Sequence, residues 1–434
     1  MKVFKMLHSL TKSIFCLGLL SLLTACQSLS LSETGTTKKP LNPLVDGPFD
    51  QTNAEGYRAL FNGKDLKNWV NINGHDTTWT VKDRMIMCTG KPICMLRTKK
   101  MYENFILELQ WQHLKRVSNA GVFVWTGATP AIGQPFLKGI EIQIMAGHHA
   151  SWYTSDGDIF PTWGATMVPA HPRWRQRSFP TEKRINPVPQ WNHFKMVCVD
   201  GNISLHVNGK LVNQAIGCHP RVGYIALESE GGPINFKDIV IKELPPSQTR
   251  PTPDEISKQD QGYVNLYTSL KLKQWQITQQ NKKHWNARGW MIHHDGQGDI
   301  LWHKKKYHNF SLYTDFKWQG KAKALSKLQD DLAGAIFLKT DKQTVGIQLH
   351  AKGKSGTISY NTNRPAAPAS QNADRRVTSW NRLEITKINQ HITVKINGKV
   401  VNENINLKNI QASQIGIFSN SKMSFGNILL KELP

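Results

Sequence analysis

The chain of 434 residues contains one sequence pattern twice, and this internal repeat limits the possible folds more than any other feature. Three segments recur at a constant offset of 189 residues. Trp191-Asn192 recurs as Trp380-Asn381, Val207-Asn208-Gly209-Lys210 as Ile396-Asn397-Gly398-Lys399, and Lys242-Glu243-Leu244-Pro245 as Lys431-Glu432-Leu433-Pro434. Four more recur at larger offsets: Leu60–Trp69 as Leu266–Trp275, Trp79 as Trp285, Ala120–Val124 as Ala333–Phe337, and Ile142–Ile144 as Ile347–Leu349. The repeat predicts two related domains, 57–245 and 261–434, joined by a linker at 246–260. The stretch from Pro245-Pro246 to the end of this linker is rich in Pro, Ser and Thr.

Each copy has the sequence pattern of β-strands. Apolar and polar residues alternate over short runs such as Phe105–Trp111, Ile140–Ile144 and Ile203–Val207. Asn208-Gly209 and Asn397-Gly398 suit two-residue hairpin turns, because both central residues of such a turn take positive φ angles. No long segment has the 3.6-residue period of a helix. The chain is therefore predicted to be all-β, with two tandem antiparallel sandwiches of the jelly-roll kind.

Residues 1–25 have the features of a signal peptide. Three lysines precede an apolar run from Ile14 to Leu23, which is too short to span a bilayer. The run ends in Leu23-Thr24-Ala25-Cys26, which resembles the lipobox of bacterial lipoproteins and implies cleavage before Cys26 and acylation of that cysteine. Gln27 follows, as in the outer-membrane sorting pattern. An ordinary secretory signal with an incidental Cys26 is the alternative.

These features predict a lipid-anchored protein of the cell envelope. Residues 26–56 would be the lipidated tether, holding the chain at the outer membrane so that it faces the periplasm or the cell surface. The formal net charge of +24 would suggest nucleic acid in a cytoplasmic protein. An exported lipoprotein meets anionic lipid and acidic polysaccharide instead, and the basic residues are scattered, so we do not expect nucleic-acid binding.

Four cysteines remain once Cys16 has left with the signal peptide and Cys26 has been lipidated. They all lie in the first copy: Cys88, Cys94, Cys198 and Cys218. In an oxidising compartment they could form two disulfides. Cys88–Cys94 and Cys198–Cys218 are the local pairing among those that the sequence allows.

Several segments of the first copy, in this order, resemble the 3-keto-disaccharide hydrolase family. They are Leu60–Leu66 with Trp69, Asn119–Phe123, Gly139–Ile144, Leu227–Gly232 and Phe236–Leu244. A further stretch, Tyr153–Phe160 through Trp163–Ala165, is similar to one subgroup of that family. The resemblance covers nearly all of residues 57–245, is weaker in the second copy, and implies a concanavalin-like jelly-roll fold.

The resemblance also implies an activity, the cleavage of 3-keto-glycosides by a lyase/hydratase reaction whose net result is hydrolysis. The oxidised C3 acidifies the proton on C2, so that a base removes it and the C1 substituent leaves by β-elimination. Water then adds to the 2-hydroxy-glucal and releases 3-keto-glucose. Such chemistry needs a base, an acid for the leaving group, and a donor or cation for the enolate oxygen.

Three glutamates of the first copy are the candidate catalytic residues. Glu141 lies two positions from Gln143 on one predicted strand, so both side chains share a face. Glu228 and Glu230 likewise share a face of another strand, just before Gly231-Gly232. We expect Glu141 or Glu230 to be the base. Ordinary solvated strand faces are the alternative for both pairs.

The second copy lacks these carboxylates. Gly346 stands in the place of Glu141, and the segment Ser419–Ser421 stands in the place of the other two glutamates. Loss of carboxylates from one copy is the pattern that a catalytic first domain and a degenerate second domain would show. The sequence therefore favours an enzyme whose chemistry is confined to the first copy.

Six further residues are predicted to contact the substrate: Asn119, Trp125, Gln143, Asp158, Trp163 and Arg177. Arg177 and Gln143 are expected at the enolate or a hydroxyl, and the tryptophans at a sugar face. Asp158, Trp163 and Arg177 lie in a long segment, Met145 to Pro189, that is shorter in the second copy. Asp156 with Asp158, or His148 with His149, could bind a divalent cation, although neither pair alone makes a metal site.

The rival function is a non-catalytic cell-surface module that binds glycan through aromatic side chains. The jelly-roll fold hosts both lectins and hydrolases, so the fold cannot choose between them. Trp125 and Trp163 have no clear partners in the second copy, whereas a binding module would be expected to keep its aromatic face in both. A purely structural envelope protein is a third alternative.

Overall fold

The computed structural model describes residues 52–146, 155–259, 262–268, 271–328, 332–360 and 364–434. Cys26, the predicted signal peptide and tether up to residue 51, and His148 and His149 lie outside these residues. Both copies of the repeat belong to one compact unit. No helix within the described ranges is both long enough and apolar enough to cross a membrane.

The first copy is built from short strands. They are β1 (Arg58–Ala59), β2 (Trp69–Ile72), β3 (Trp79–Lys82), β4 (Met85–Cys88), β5 (Cys94–Tyr102), β6 (Phe105–His113), β7 (Ser118–Thr126), β8 (Gly139–Ala146), β9 (Ile159–Thr162), β10 (Thr166–Pro169), β11 (Pro172–Trp174), β12 (Arg177–Ser178), β13 (Asn192–Val199), β14 (Asn202–Val207), β15 (Lys210–His219), β16 (Gly223–Ser229) and β17 (Ile234–Glu243). A single 3-10 turn, Pro253–Glu255, lies in the predicted linker.

The second copy is built in the same way and adds one short helix. Its elements are β18 (Val264–Asn265), β19 (Trp285–Arg288), β20 (Met291–Asp295), β21 (Leu301–Tyr307), β22 (Phe310–Trp318), α1 (Ala322–Leu328), β23 (Ala333–Lys339), β24 (Thr344–His350), β25 (Ile358–Tyr360), β26 (Arg364–Ala367), β27 (Asn381–Ile388), β28 (His391–Ile396), β29 (Lys399–Asn406), β30 (Ser413–Ser419) and β31 (Lys422–Glu432).

Each copy contains two antiparallel sheets. In the first copy, one sheet has the order β10-β15-β14-β13-β6-β17-β4-β3, and the other, which we call the front sheet, has the order β11-β12-β9-β8-β7-β16-β5-β2. The second copy has a sheet in the order β19-β20-β31-β22-β27-β28-β29 and its own front sheet in the order β21-β30-β23-β24-β25-β26. The predicted all-β jelly-roll class is therefore confirmed.

The core of each copy lies between its two sheets, as the alternating sequence predicts. Ile140, Ile142 and Ile144 of β8 are fully buried in the first core, and Val345 and Ile347 of β24 are fully buried in the second. The residues between them, Glu141 and Gln143 in the first copy, therefore point to the other face of the front sheet. We call this the outer face.

The predicted hairpin turns are present in both copies. Asn208 and Gly209 have φ angles of 47° and 88°, and Asn397 and Gly398 have angles of 51° and 82°. Because both central residues are in the left-handed region, the turns match the right-handed twist of the strands that they join. The two turns connect β14 to β15 and β28 to β29.

The strand register shifts part of the repeat alignment by one residue. Ala120–Val124 was matched to Ala333–Phe337, but Val122 and Ile336 are the residues that enter the two cores. Gly121 therefore corresponds to Ala335, and Phe123 corresponds to Phe337. A similar shift before β31 makes Glu228 correspond to Phe418 and Glu230 to Asn420.

The second copy forms hydrogen bonds with a loop of the first. Residues 127–138, which we call the clamped loop, join β7 to β8 in the first copy. Arg382 Nη2 donates to the carbonyl of Pro130 at 2.8 Å, and the amide of Gly133 donates to Asp315 at 2.8 Å. Asn427 Nδ2 donates to the carbonyl of Gln134 at 2.9 Å. These contacts fix the loop from one side.

The four cysteines of the first copy are buried free thiols, which corrects the expectation of two disulfides. Burial raises the pKa of Cys88 to about 11 and that of Cys218 to about 12. Cys94 accepts a hydrogen bond from the indole of Trp79 at 3.2 Å, so it is part of the core packing. In this fold the cysteines act as small apolar side chains.

Candidate functional site

The three candidate glutamates meet on the outer face of the first front sheet. Glu141 comes from β8, Glu228 from β16, and Glu230 follows the end of β16. Strand β7 runs between β8 and β16, and its Gly121 separates the two glutamate-bearing strands. Three side chains that are far apart in the sequence are therefore neighbours because of strand order.

Gly121 provides the space for two of these carboxylates. A methyl group at this position would lie 2.9 Å from Glu141 Oε1 and 3.1 Å from Glu228 Oε2. The two oxygens thus approach a single point on the sheet from opposite sides. The sequence shows the glycine within Asn119–Phe123, but its role depends on a register that the sequence does not give.

Burial and mutual repulsion raise the pKa values of this cluster. Glu141 is 6 % exposed and Glu228 is 2 % exposed. Loss of hydration, followed by repulsion from neighbouring carboxylates, raises the pKa of each well above its ordinary value. Glu228 Oε2 is buried and has no hydrogen-bond partner among the described residues. The pair therefore retains a proton at a pH where isolated glutamates are ionised.

Glu230 has a different environment. It is only partly buried, and Asn119 Nδ2 donates a hydrogen bond to its carboxylate. Gln143 Nε2 in turn donates to Asn119 Oδ1 at 2.5 Å and to the carbonyl of Ala120 at 3.2 Å. Burial raises the pKa of Glu230, whereas the Asn119 amide opposes that rise. Asn119 and Gln143 thus orient Glu230 and favour its ionised form.

Arg177 brings a positive charge to the same face. Its Nη1 donates to Asp158 Oδ2 at 3.3 Å, and its guanidinium lies 3.4 Å from the ring centroid of Phe160. Phe160 is directly opposite Glu141 in the strand register. The charge of Arg177 lowers the pKa of Glu141 and partly offsets the effect of burial.

Asp158 is a fully buried residue that fixes Arg177. Its two oxygens accept hydrogen bonds from the backbone amide and the hydroxyl of Ser155, at 2.8 and 2.7 Å. The structure therefore places Asp158 behind Arg177, as a positioning group, and not at an open surface. Ser155 is a partner that sequence reasoning missed.

Trp163 forms an exposed aromatic surface beside this cluster. It is 46 % exposed and stacks on Phe136 of the clamped loop, with ring planes 16° apart and centroids 6.5 Å apart. A cavity of about 550 Å³ opens next to it, lined by Phe160, Pro161, Thr162, Trp163, Trp174, Arg175, Gln176 and Arg177. The cavity is of the size that small ligands occupy, and Arg177 joins it to the carboxylates.

Trp125 is a correction. It was expected at the substrate, but it is fully buried in the core and its indole donates to the carbonyl of Glu103 at 2.8 Å. Between Phe123 and Thr126, β7 has one residue more than the facing part of β16, and Trp125 takes a φ of 55°. This β-bulge reverses the alternation, so a side chain expected on the outer face turns inward.

The divalent cation remains a prediction. Asp156 accepts a hydrogen bond from the amide of Met145, and burial raises its pKa to about 7. In the part of the chain that the structure describes, no group of three or more His, Cys, Asp and Glu residues is arranged to hold a metal ion. The other proposed ligand pair, His148 and His149, lies outside that part.

The corresponding face of the second copy has lost all three carboxylates. By strand register, Gly346 replaces Glu141, Phe418 replaces Glu228 and Asn420 replaces Glu230. Gln348 is kept at the position of Gln143. The acidic cluster is thus confined to the first copy among the described residues.

The site thus combines an acidic cluster, an arginine and an aromatic cavity on one sheet face of a jelly-roll sandwich. The chain is a member of the 3-keto-alpha-glucoside-1,2-lyase-like domain family, which it matches twice, over residues 56–242 and 262–431. The family is one of carbohydrate-active hydrolase and lyase domains, and the double match agrees with the internal repeat. A comparison with curated proteins gives no match.

Solved structures of similar fold include two candidate glycosyl hydrolases from Parabacteroides distasonis. One is 24 % identical and covers 44 % of this chain and 95 % of its own, with a TM-score of 0.35. The other is 20 % identical and covers 43 % of this chain and 99 % of its own, with a TM-score of 0.34. A β-glucanase from Bacillus licheniformis, 8 % identical, covers 41 % of this chain and 100 % of its own, with a TM-score of 0.30.

Proposed function

We propose that the first copy cleaves 3-keto-glycosides by removing the C2 proton, eliminating the C1 substituent and hydrating the product. The observation that supports this most strongly is the cluster of Glu141, Glu228 and Glu230, in which two carboxyls share buried surroundings and the third is oriented by an amide. Carboxyls whose surroundings push their pKa values apart are suited to act as an acid and a base together.

Glu230 is the base in this proposal. Its carboxylate is the least buried of the three and accepts a hydrogen bond from Asn119, which favours the ionised form. It takes the proton from C2, and the electron pair moves onto the C3 oxygen as an enolate. Asn119 and Gln143 hold Glu230 in position through the proton transfer.

Glu141 is the acid. Burial, followed by repulsion from Glu230, raises its pKa well above the ordinary value, so it can hold a proton and donate it to the oxygen that leaves C1 as the C1–O bond breaks. Repulsion from the Glu230 carboxylate adds to the rise in the pKa of Glu141. Glu228 lies deeper, and burial and repulsion from Glu141 and Glu230 raise its own pKa. In the second half-reaction the Glu141 carboxylate takes a proton from water as it adds to C1, and Glu230 returns a proton to C2.

Arg177 and Trp163 complete the proposed site. Arg177, fixed by Asp158, supplies a positive charge for the enolate oxygen, where charge develops in the transition state. Trp163 offers an exposed ring at the cavity, on which one face of the sugar can stack. The pyranose would then lie between this ring and the carboxylates.

The test uses the soluble protein from Lys39 onward with 3-keto-trehalose, 3-keto-lactose and a 3-keto-β-glucoside, with and without chelator. Release of 3-keto-glucose in D₂O should place deuterium at C2, since the proton there is removed and returned. Glu230→Gln and Glu141→Gln should each reduce turnover by about 100-fold or more. Glu182→Gln, a change at an exposed carboxylate paired with Lys210, is the matched control.

The outcomes are distinct. Product with no deuterium at C2 would indicate direct hydrolysis and contradict the elimination route. Full turnover in Glu230→Gln would move the base to another carboxylate. No turnover on any substrate, with retained glycan binding, would support the non-catalytic binding module instead.

We also propose that the chain is held at the outer membrane by a lipid on Cys26, facing the periplasm or the cell surface. The support is the sequence Leu23-Thr24-Ala25-Cys26 behind an apolar run. A lipid label that enters the wild-type protein and not the Cys26→Ser variant is expected. Equal membrane association of the two proteins would contradict the proposal.

A further inference from the structure

The outer face of the second front sheet has an aromatic side chain, Phe418, at the position of Glu228 in the first. Phe337 of β23 and Phe418 of β30 are partly exposed there, with ring centroids 6.5 Å apart. Trp302 of β21 lies across β30 from Phe337, at a centroid distance of 6.3 Å. Three rings from three neighbouring strands thus form one surface, which we call the aromatic floor.

Two glycines allow the rings to lie over the sheet. Phe337 has Gly416 opposite it on one neighbouring strand and Gly346 opposite it on the other. A methyl group at Gly416 would lie 2.6 Å from the Trp302 ring, and one at Gly346 would lie 3.0 Å from the Phe337 ring. Any larger residue at either position would displace the rings. The aromatic floor therefore requires glycine at both positions.

Uncharged polar groups border the part of the floor formed by Phe337 and Phe418, whereas Lys339 Nζ lies 5.3 Å from the centroid of the Trp302 ring. Gln348 Nε2 donates to Ser359 Oγ at 2.6 Å, and Asn420 Oδ1 accepts the amide of Ala333 at 2.9 Å. The groove has a volume of about 660 Å³, and its lining residues in the described part of the chain include no Asp, Glu, Lys or Arg. The groove is of ligand size and combines flat apolar rings with a few amides and hydroxyls.

We propose that the aromatic floor binds a neutral saccharide and does not cleave it, with one sugar ring packed in the angle of 50° between the planes of Phe337 and Phe418. The apolar C–H face of a pyranose fits an aromatic ring, and its hydroxyls fit the amides of Gln348 and Asn420. Among the described residues, no carboxylate lines the groove to act as acid or base. This site is separate from the acidic cluster and does not rest on the activity proposed for the first copy.

The experiment titrates trehalose, lactose and cellobiose into the soluble protein from Lys39 onward, by calorimetry and by saturation-transfer NMR. Having no keto group, these sugars are not the substrates proposed for the first copy. We expect saturable binding, weakened about tenfold or more in Phe337→Ala and in Phe418→Ala. Phe337→Tyr should retain binding, because it keeps the ring.

Three variants separate the possible explanations. Glu141→Gln, in the first copy, should bind as the wild type does, and so should Ile388→Ala, which changes an exposed side chain on the opposite sheet. Gly416→Val should weaken binding because it displaces the rings. Thermal unfolding identifies any variant that fails to fold. If an alanine variant fails to fold, the sugar binding of Phe337→Tyr, which keeps the ring, tests the proposal instead.

Absence of saturable binding to all three sugars would overturn the proposal. So would binding that is unchanged in both Phe337→Ala and Phe418→Ala, or binding that is lost in Glu141→Gln. A charged disaccharide of uronic acids that binds more tightly than the neutral sugars would contradict the assigned ligand class.

Discussion

Arg382 and Asp315 lie opposite each other on neighbouring strands of the second copy and form a two-pronged ion pair. Arg382 Nε donates to Asp315 Oδ1 at 2.7 Å, and Nη2 donates to Oδ2 at 3.0 Å. Asp315 is fully buried and Arg382 is 8 % exposed. Because the same two side chains also bind Gly133 and Pro130, an ion pair in one copy holds the clamped loop of the other.

Breaking this pair should be costly. Asp315→Ala leaves the Arg382 guanidinium buried without its partner and removes the acceptor of the Gly133 amide. We expect a loss of about 3–5 kcal/mol in the free energy of unfolding, measured by urea denaturation. Asp341→Ala, which breaks the exposed pair with Lys306, is the control and should change little. Equal stability of the two variants would contradict this prediction.

The pH dependence of stability should change in Glu228→Gln. The pKa of Glu228 is raised in the folded protein above its ordinary value of about 4.5, so the folded state binds the proton more tightly. The stability from this group is therefore fully present below about pH 4.5 and is lost as the pH rises through the folded pKa. Above about pH 4.5, the wild type should therefore lose stability with rising pH more steeply than the variant does. An equal pH dependence of the free energy of unfolding in the two proteins, measured by urea denaturation, would contradict the assigned direction of the Glu228 pKa shift.

Gly121→Ala should impair the candidate site without unfolding the protein. The added methyl group would press on the Glu141 and Glu228 carboxylates, and a displacement of about 1 Å at reacting groups can lower turnover about 100-fold. The fold should tolerate the change, because Ala335 is the corresponding residue of the second copy. Gly127→Ala is the control, since its nearest neighbour, Thr129 O, is 3.9 Å from the new methyl group. Unchanged kinetics in Gly121→Ala would show that the carboxylate geometry is not critical.

Trp163→Ala should weaken substrate binding more than it slows chemistry. The ring is exposed, stacks on Phe136 and lies outside the acidic cluster. We expect KM for a 3-keto-glycoside to rise about tenfold with a smaller change in kcat. Val168→Ala, at a 56 % exposed residue of the opposite sheet, should leave both constants unchanged. A fall in kcat at constant KM would assign Trp163 a part in the reaction itself.

The four buried thiols should react slowly in the native protein. Burial raises the pKa of Cys88 to about 11, so almost none of it is thiolate at pH 8. Ellman's reagent should therefore titrate the cysteines of the soluble protein only after denaturation, and a reducing agent should not shift the unfolding temperature. An intact mass lower by about 2 or 4 Da than that of the reduced chain would reveal disulfides and contradict this.

The sequence was sufficient for the fold because the repeat and the two-residue alternation are local signals. Ile140, Ile142 and Ile144 enter the core as predicted, and Glu141 and Gln143 therefore lie on the opposite face. The grouping of Glu228 and Glu230 near this face depends on strand order, which a resemblance can suggest and alternation alone cannot. The roles of these glutamates stay predictions.

Other features could not be predicted because they arise from register and from contacts between distant segments. The bulge that turns Trp125 inward is a single extra residue in β7 relative to β16, and strict alternation places that side chain on the wrong face. Phe136 stacks on Trp163 only because the clamped loop folds over the sheet. The contacts that hold this loop join residues such as Gly133 and Asp315, which are 182 positions apart.

The contacts between the second copy and residues 127–138 affect whether such a duplication is retained in evolution. After a gene segment is doubled, a redundant copy is free to decay unless something depends on it. Here the backbone of one copy finds its buried partners in Asp315, Arg382 and Asn427 of the other. Selection on the first copy alone would thus preserve the second, because deleting the second copy would remove the partners of the Gly133 amide and of the Pro130 and Gln134 carbonyls. The rest of the surface of the second copy is free to change, provided that its contacts with the clamped loop are kept.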